Sequence, residues 1–291
     1  MRRSLFLLVP LVLMGCDADG DGLTNSEEEE LGTNPESADS DGDGADDNAE
    51  VNAGTDPLVQ DTDNDRLLDG AELDLGTDPL VQDTDGDTYL DGWEVTEGTD
   101  PLDEDSRIYV GYWPYNPDKD GIDAPDYDSA SRQLGESVPR FQLMDHNGDM
   151  VDMYDYHNIE GKYVLLDLSA VWCPPCNAFA GWLSGDERYA SYDDEWPGLR
   201  EKIDNGEVYF LTVLGEDRSG NVPDMEDLGN WHRQYSEKNS PIMTVDEDRV
   251  FTDFFLDVGW PSVYLLTPDL KFETLPDRDN PFAAFYAAAE L

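Results

Sequence analysis

Two cysteines stand three residues apart in the run Trp172-Cys173-Pro174-Pro175-Cys176. Thiols at that spacing can close into a disulfide and reopen, exchanging two electrons with a partner through a mixed disulfide. If they open a helix, its unpaired N–H groups and positive dipole end stabilise a thiolate at the first position. Cys173 is then the attacking sulfur, with its pKa lowered from about 8.5. Cys176, one turn further in and more deeply buried, resolves the intermediate. A zinc site would need four ligands. The third cysteine, Cys16, lies far away in sequence, and His146, His157 and His232 are scattered and expected on the surface.

A second set of residues offers only oxygen. Four segments begin at Asp17, Asp39, Asp61 and Asp83, each 22 residues after the last. Oxygen-bearing side chains recur at positions 1, 3, 5, 9 and 12 of each. The first loop has Asp17, Asp19, Asp21, Asn25 and Glu28, and the second Asp39, Asp41, Asp43, Asp47 and Glu50. The third has Asp61, Asp63, Asp65, Asp69 and Glu72, and the fourth Asp83, Asp85, Asp87, Asp91 and Glu94. This is the ligand spacing of an EF-hand loop, which serves a hard cation needing six to eight oxygens at about 2.3–2.6 Å. An acidic disordered segment would not need five fixed positions in four copies, nor Gly-Thr-(Asn/Asp)-Pro after each loop.

These residues resemble the bacterial thrombospondin type-3 repeat family. The resemblance implies about four Ca2+ sites on a rod with little core and little regular secondary structure. Glycine at position 6 is present as Gly22 and Gly44 but replaced by Arg66 and Thr88, so loops three and four are expected to be distorted or weaker. Without calcium the clustered carboxylates repel, so folding and binding should be coupled. Extracellular modules bind calcium at about 10⁻⁴–10⁻³ M, which suits a structural spacer.

The dithiol needs a strand before it and a helix after it. From Leu134 the chain alternates between the two. Lys162–Ser169, Glu207–Leu214 and Ser262–Leu266 are short, β-rich apolar runs expected as buried strands. Helices are expected at Cys176–Leu183, Gly198–Asn205, Asp224–Ser236 and Pro281–Glu290, the last with Asn280 as N-cap. This pattern predicts an α/β sandwich, a mixed sheet flanked by helices.

Val138-Pro-Arg-Phe-Gln-Leu, Gly148, Glu160-Gly-Lys-Tyr-Val-Leu-Leu and Trp-Cys-Pro-Pro-Cys, in that order, resemble the TlpA/ResA-like branch of the thioredoxin superfamily. The resemblance covers residues 134–291 and implies a thioredoxin-like fold with a redox-active Cys173–Cys176 disulfide and no organic cofactor. It implies that Asp167, six residues before Cys173, is a buried acid passing a proton to or from Cys176. It also implies a cis peptide bond at Trp260-Pro261, beside which substrate chain would pair. The sequence departs from the family at Asn177-Ala-Phe and in the acidic, aromatic stretch 184–197.

Residues 106–133 are expected to be a linker in which Ile108–Trp113 packs as a strand, and Asp118–Asp123 is expected to be a turn. At the other end, Arg2 and Arg3 precede an apolar run from Leu5 to Met14. About ten residues cannot span a bilayer core of about 30 Å, but they suit a signal peptide. The run ends in Leu13-Met14-Gly15-Cys16, which resembles a bacterial lipobox and implies lipidation of Cys16 after removal of residues 1–15. The expected address is the cell envelope, on the periplasmic side of either membrane or at the cell surface. A disulfide persists in such a compartment.

Composition closes off other classes. Of the 291 residues 68 are acidic and 17 basic, a formal net charge of −51. Nothing supplies the basic footprint a nucleic-acid binder needs. Residues 17–105 hold 32 acids and one base, Arg66.

The leading expectation is a membrane-tethered thiol–disulfide oxidoreductase on a calcium-stiffened spacer, residues 16–105, acting on protein thiols with an electron donor or acceptor at the membrane. The non-enzymatic alternative is a calcium-dependent adhesion lipoprotein with a thioredoxin-fold scaffold. A peroxiredoxin-like peroxidase would need Pro and Thr or Ser where Leu166 and Ala170 stand.

Overall fold

The computed structural model describes residues 15–235, 242–244 and 248–291, so the expected signal peptide lies outside the described residues apart from Gly15. The chain divides into two compact units, one ending at Ile108 and one starting at Tyr109.

In the first unit, regular structure is confined to one seven-residue helix per repeat: α1 (Asn25–Leu31), α2 (Asp47–Ala53), α3 (Asp69–Leu75) and α4 (Asp91–Glu97). Helices this short are not stable through propensity alone. Their ends are fixed instead. Gly32, Gly54, Gly76 and Gly98 adopt positive φ, each returning its N–H at 2.7 Å to the carbonyl of the position-12 glutamate. That is the structural reason for the recurring Gly-Thr-Asx-Pro.

Position 7 of each loop (Leu23, Ala45, Leu67, Tyr89) is buried. Repeats dock on one another through a constant bond. The N–H of Asn48, Gly70 and Gly92 donates to Asp21, Asp43 and Asp65 of the repeat before, at 3.2, 2.8 and 2.9 Å. A β-carbon on Gly70 would lie 2.5 Å from the Ala45 nitrogen, so the approach itself demands glycine there.

The second unit begins with a hairpin of β1 (Gln142–Met144) and β2 (Met150–Asp152). Its main sheet contains β3 (Tyr163–Ala170), β4 (Val208–Glu216), β5 (Ile242–Thr244) and β6 (Ser262–Leu266) in the order β5-β4-β3-β6. β3, β4 and β5 are parallel and β6 is antiparallel. The helices are α5 (Pro174–Leu183), α6 (Ser191–Glu195), α7 (Leu199–Asp204), α8 (Met225–Tyr235), α9 (Val250–Phe255) and α10 (Ala283–Glu290). This is the mixed sheet flanked by helices that the sequence predicts.

β3 is central and buried on both faces, which explains its nearly unbroken apolar run. Alternation divides the strands between two cores. Leu165, Val263 and Leu265 join Phe179, Trp182, Trp196, Ile203 and Phe285 in one. Tyr264, between the latter two strand residues, meets Phe255 and Phe272 in the other.

Two local expectations are corrected. The last helix starts at Ala283, not Pro281, and no side chain caps it. The Asn280 N–H is held by the Asp277 carboxylate at 2.7 Å, Pro281 and Phe282 form a turn closed by the Ala283 N–H on the Asn280 carbonyl at 3.3 Å, and Phe282 takes the N-cap place. Ile108–Trp113 is a turn rather than a strand, with Tyr112 at positive φ. Its polar groups pair with carboxylates instead of a sheet edge. The Tyr109 hydroxyl donates to Asp155 and the Trp113 indole to Asp145, both at 2.6 Å, and the Val110 N–H donates to Asp149 at 2.7 Å. Asp118–Asp123 is the expected turn, with a single 3-10 turn at Lys119–Gly121.

Candidate functional site

The bulge that ends β3 delivers Cys173 to the N-cap of α5, where Pro174 and Pro175 fill the first two helical positions without wasting a donor. Cys173 and Cys176 form a disulfide, with Cα atoms 5.3 Å apart. The Cys176 N–H donates to Cys173 Sγ at 3.2 Å, so the helix end does address the first sulfur. The expected difference in burial is absent. Both cysteines are 1% exposed, because the closed bond draws Cys173 into the same apolar group as Leu214, Leu228, Trp231 and Ile242. Beside them Trp172 is 48% exposed.

Asp167 lies in the middle of β3, on the same face as Leu165 and therefore facing α5. It is buried. One carboxylate oxygen accepts the Ser169 hydroxyl at 2.6 Å, and the other has no hydrogen-bond partner. Burial pushes its pKa up from 3.8 to about 7, with the serine bond opposing. The Trp260–Pro261 peptide bond is cis, and Pro261 is buried at the start of β6.

Several residues around the dithiol carried no signal strong enough to single them out. Asn177, noted only as a departure from the family, donates to the carbonyls of Cys173 at 2.6 Å and Val171 at 3.2 Å, and accepts from the Tyr235 hydroxyl. It braces the turn that carries the cysteines. Glu216 accepts from the Trp172 indole at 2.9 Å and pairs with Arg249 at 3.1 Å. Gly215 makes room for Trp260, whose ring a β-carbon would meet at 2.3 Å. The histidines are not scattered on the surface. His146 and His232 are half-buried and stacked at 4.2 Å, and His157 stacks on Tyr154. Among the described residues, the side-chain clusters able to hold a metal are all carboxylate.

Those clusters follow the repeat. Asp17, Asp19 and Asp21 converge, as do Asp39, Asp41 and Asp43; Asp61, Asp63 and Asp65; and Asp83, Asp85 and Asp87. The position-12 residues Glu28, Glu50, Glu72 and Glu94 are fully buried. Both oxygens of Glu28 and Glu50, and one each of Glu72 and Glu94, lack a hydrogen-bond partner. Carboxylates buried in this way are costly unless a cation satisfies them. Their donor chemistry, all oxygen and densely anionic, fits a hard divalent ion.

The expected distortion of loops three and four is absent. Arg66 (φ 81°) and Thr88 (φ 89°) take the left-handed turn that Gly22 and Gly44 take. Their N–H groups reach the position-1 carboxylate at 3.1 and 2.9 Å, as Gly44 does at 3.1 Å. The cost falls on backbone strain, about 1–2 kcal/mol at each, rather than on ligand geometry.

Residues 17–37, 39–60, 61–82 and 83–104 each match the bacterial TSP3 repeat. The match follows the 22-residue spacing loop by loop. Cys16 stands one residue before the first TSP3 repeat and is exposed, with its carbonyl accepting the Asn25 N–H at 2.7 Å. Among the described residues no helix is long and apolar enough to cross a membrane.

No curated protein matches the chain. Solved structures similar to it include the thioredoxin domain of a thiol-disulfide oxidoreductase from Bacteroides vulgatus (20% identity, 55% of this chain and 97% of that one, TM-score 0.37). A putative protein disulfide isomerase from Bacteroides thetaiotaomicron is also similar (17% identity, 54% and 88%, TM-score 0.38). A third is the pneumococcal exposed lipoprotein thioredoxin from Streptococcus pneumoniae (23% identity, 52% and 99%, TM-score 0.35).

Proposed function

We propose that this chain is an exported thiol–disulfide oxidoreductase, lipid-anchored at Cys16 and carried on calcium-binding TSP3 repeats. The observation that carries the redox half is the Cys173–Cys176 pair at the N-cap of α5, with the Cys176 N–H on Cys173 Sγ and a buried acid on the facing strand. In the reducing direction the Cys173 thiolate attacks a partner disulfide. A mixed disulfide forms and one partner thiolate leaves. Asp167, with a pKa brought near neutrality, accepts the Cys176 proton. The Cys176 thiolate then attacks Cys173 Sγ, re-forms the internal disulfide and releases the second partner thiol. Two electrons pass from the chain to the partner, and a donor at the membrane restores the dithiol. The same steps reversed make the chain a disulfide donor.

Trp172, exposed next to Cys173, and the backbone at the cis Trp260–Pro261 bond would supply the surface on which substrate chain lies. The calcium half rests on the buried, unpartnered position-12 glutamates. Bound calcium would supply positive charge to loops whose charged residues, Arg66 apart, are all acids.

The reduction potential of the pair, measured in calcium, tests the reading. A value near about −270 mV assigns a reductant, and one near about −120 mV a disulfide donor. A pair below about −300 mV that resists exchange sinks the proposal. Cys173→Ser is expected to abolish turnover. Cys176→Ser is expected to keep the first step and accumulate a mixed disulfide visible on a non-reducing gel.

A further inference from the structure

Sequence spacing assigns Asp47, Asp69 and Asp91, at position 9, to the loops that begin at Asp39, Asp61 and Asp83. In the structure each lies between two loops. Within its own repeat it accepts the N–H of position 2, from Ser40, Thr62 and Thr84, at 2.8, 2.8 and 2.9 Å. Asp47 and Asp69 also take the hydroxyl of that residue, at 2.8 and 2.6 Å. These bonds tie the carboxylate to backbone at the start of its own loop. The next residue along docks on the preceding repeat through the N–H bonds of Asn48, Gly70 and Gly92.

That seam carries position 9 to the loop before. There Asp43, Glu50 and Asp69 each bring one carboxylate oxygen to within 4.8 Å of the others. All three are buried, Glu50 and Asp69 completely, and neither Glu50 oxygen has a hydrogen-bond partner. A carboxylate with nothing to bond, faced by two more, is a donor set for a divalent cation.

We infer that the cation sites are shared between neighbouring repeats, the position-9 carboxylate of each completing the site of the repeat before it. The inference rests on the calcium reading above. Asp47 serves the first site, Asp69 the second and Asp91 the third. The fourth, built on Asp83, Asp85, Asp87 and Glu94, receives none. Both ends of the array agree. Residues 1–16 contain no aspartate for position 9 of the first repeat to join, and that position is the neutral Asn25. No repeat follows the fourth, and there Arg107 Nε lies 3.8 Å from Asp87 Oδ2, the atom that in the two preceding loops accepts the next repeat's N–H. A carboxylate stands where it has a preceding site to complete, and a guanidinium stands where the series stops.

The test is a calcium titration of the full chain followed through backbone amide resonances at position 6, Gly44 for the second loop and Arg66 for the third. Asp69→Asn keeps the shape of the side chain and its bond to the Thr62 N–H but removes the charge. It is expected to raise the Gly44 midpoint by about tenfold, because affinity follows ligand charge, and to leave Arg66 within about twofold. Asp91→Asn is expected to do the reverse, and it carries the test alone if Asp69→Asn does not fold. A larger shift at Arg66 than at Gly44 in Asp69→Asn, or equal shifts at both, overturns sharing. An unsubstituted chain whose amides do not respond to calcium removes the calcium reading and sharing with it.

Discussion

Asp167→Asn is expected to stabilise the second unit at pH 8 and to leave its stability unchanged at pH 4. The carboxyl is buried on β3 with one oxygen unpartnered, and its folded pKa rises from 3.8 to about 7. Below about pH 4 the folded and unfolded states both hold the proton, so nothing is lost. Between those values the folded state binds more protons than the unfolded one, and stability falls as pH rises. Above pH 7 the full penalty applies, roughly 4 kcal/mol for a shift of this size at about 1.4 kcal/mol per unit. Asparagine carries no charge and escapes it. Urea unfolding of the oxidised protein at the two pH values reads the difference. A variant equally stabilised at both would show that the gain is packing and not ionisation. The same substitution should slow turnover by about 10²-fold or more, since the group that receives the Cys176 proton is gone. Added stability with lost activity separates a proton-transfer role from a structural one.

Chelating calcium at pH 8 is expected to unfold the repeats and leave the second unit intact. Burial first, then the neighbouring aspartates, pushes Glu50, Glu72 and Glu94 up to about 8, and Asp63 to about 6. Without cation these groups favour protons in the folded state, so the cation-free repeats lose stability as pH rises towards 8. Calcium competes with those same protons. Its affinity should therefore increase across that window, by about tenfold or more between pH 6 and pH 8. Circular dichroism with and without chelator at pH 5 and pH 8 measures the first effect, and calcium titrations followed by the same signal at pH 6 and pH 8 measure the second. Repeats that stay helical in chelator at pH 8 would contradict it.

Much of this architecture is legible in the amino-acid sequence. Alternation of apolar runs places β3, β4 and β6 within a residue or two, because strands buried on both faces leave little choice of register. The Cys173–Cys176 pair and the four loops are legible because their chemistry fixes spacing along the chain. What the sequence hides is whatever depends on partners distant in it. The turn at Tyr109–Trp113 looks like a strand because its aromatics suit one, yet its bonding is decided by Asp145, Asp149 and Asp155 more than thirty residues away. The histidine stack joins residues 146 and 232, which no local pattern links. Arg66 and Thr88 mislead for the opposite reason. The loop around them imposes the backbone angle, and the residue adapts.

Arg66 has one more consequence. It is the single basic residue between Asp17 and Asp105, and it is exposed at position 6 of the third loop. A protease that cuts after lysine or arginine therefore finds one scissile bond in that stretch, between Arg66 and Leu67. Both amides flanking it are tied down, Arg66 to Asp61 and Leu67 to Asp65. The bond lies within the carboxylate loop itself, so its lifetime in trypsin follows the integrity of that loop. The acidic composition thus gives the array a built-in reporter, in which a single nick records the state of one loop.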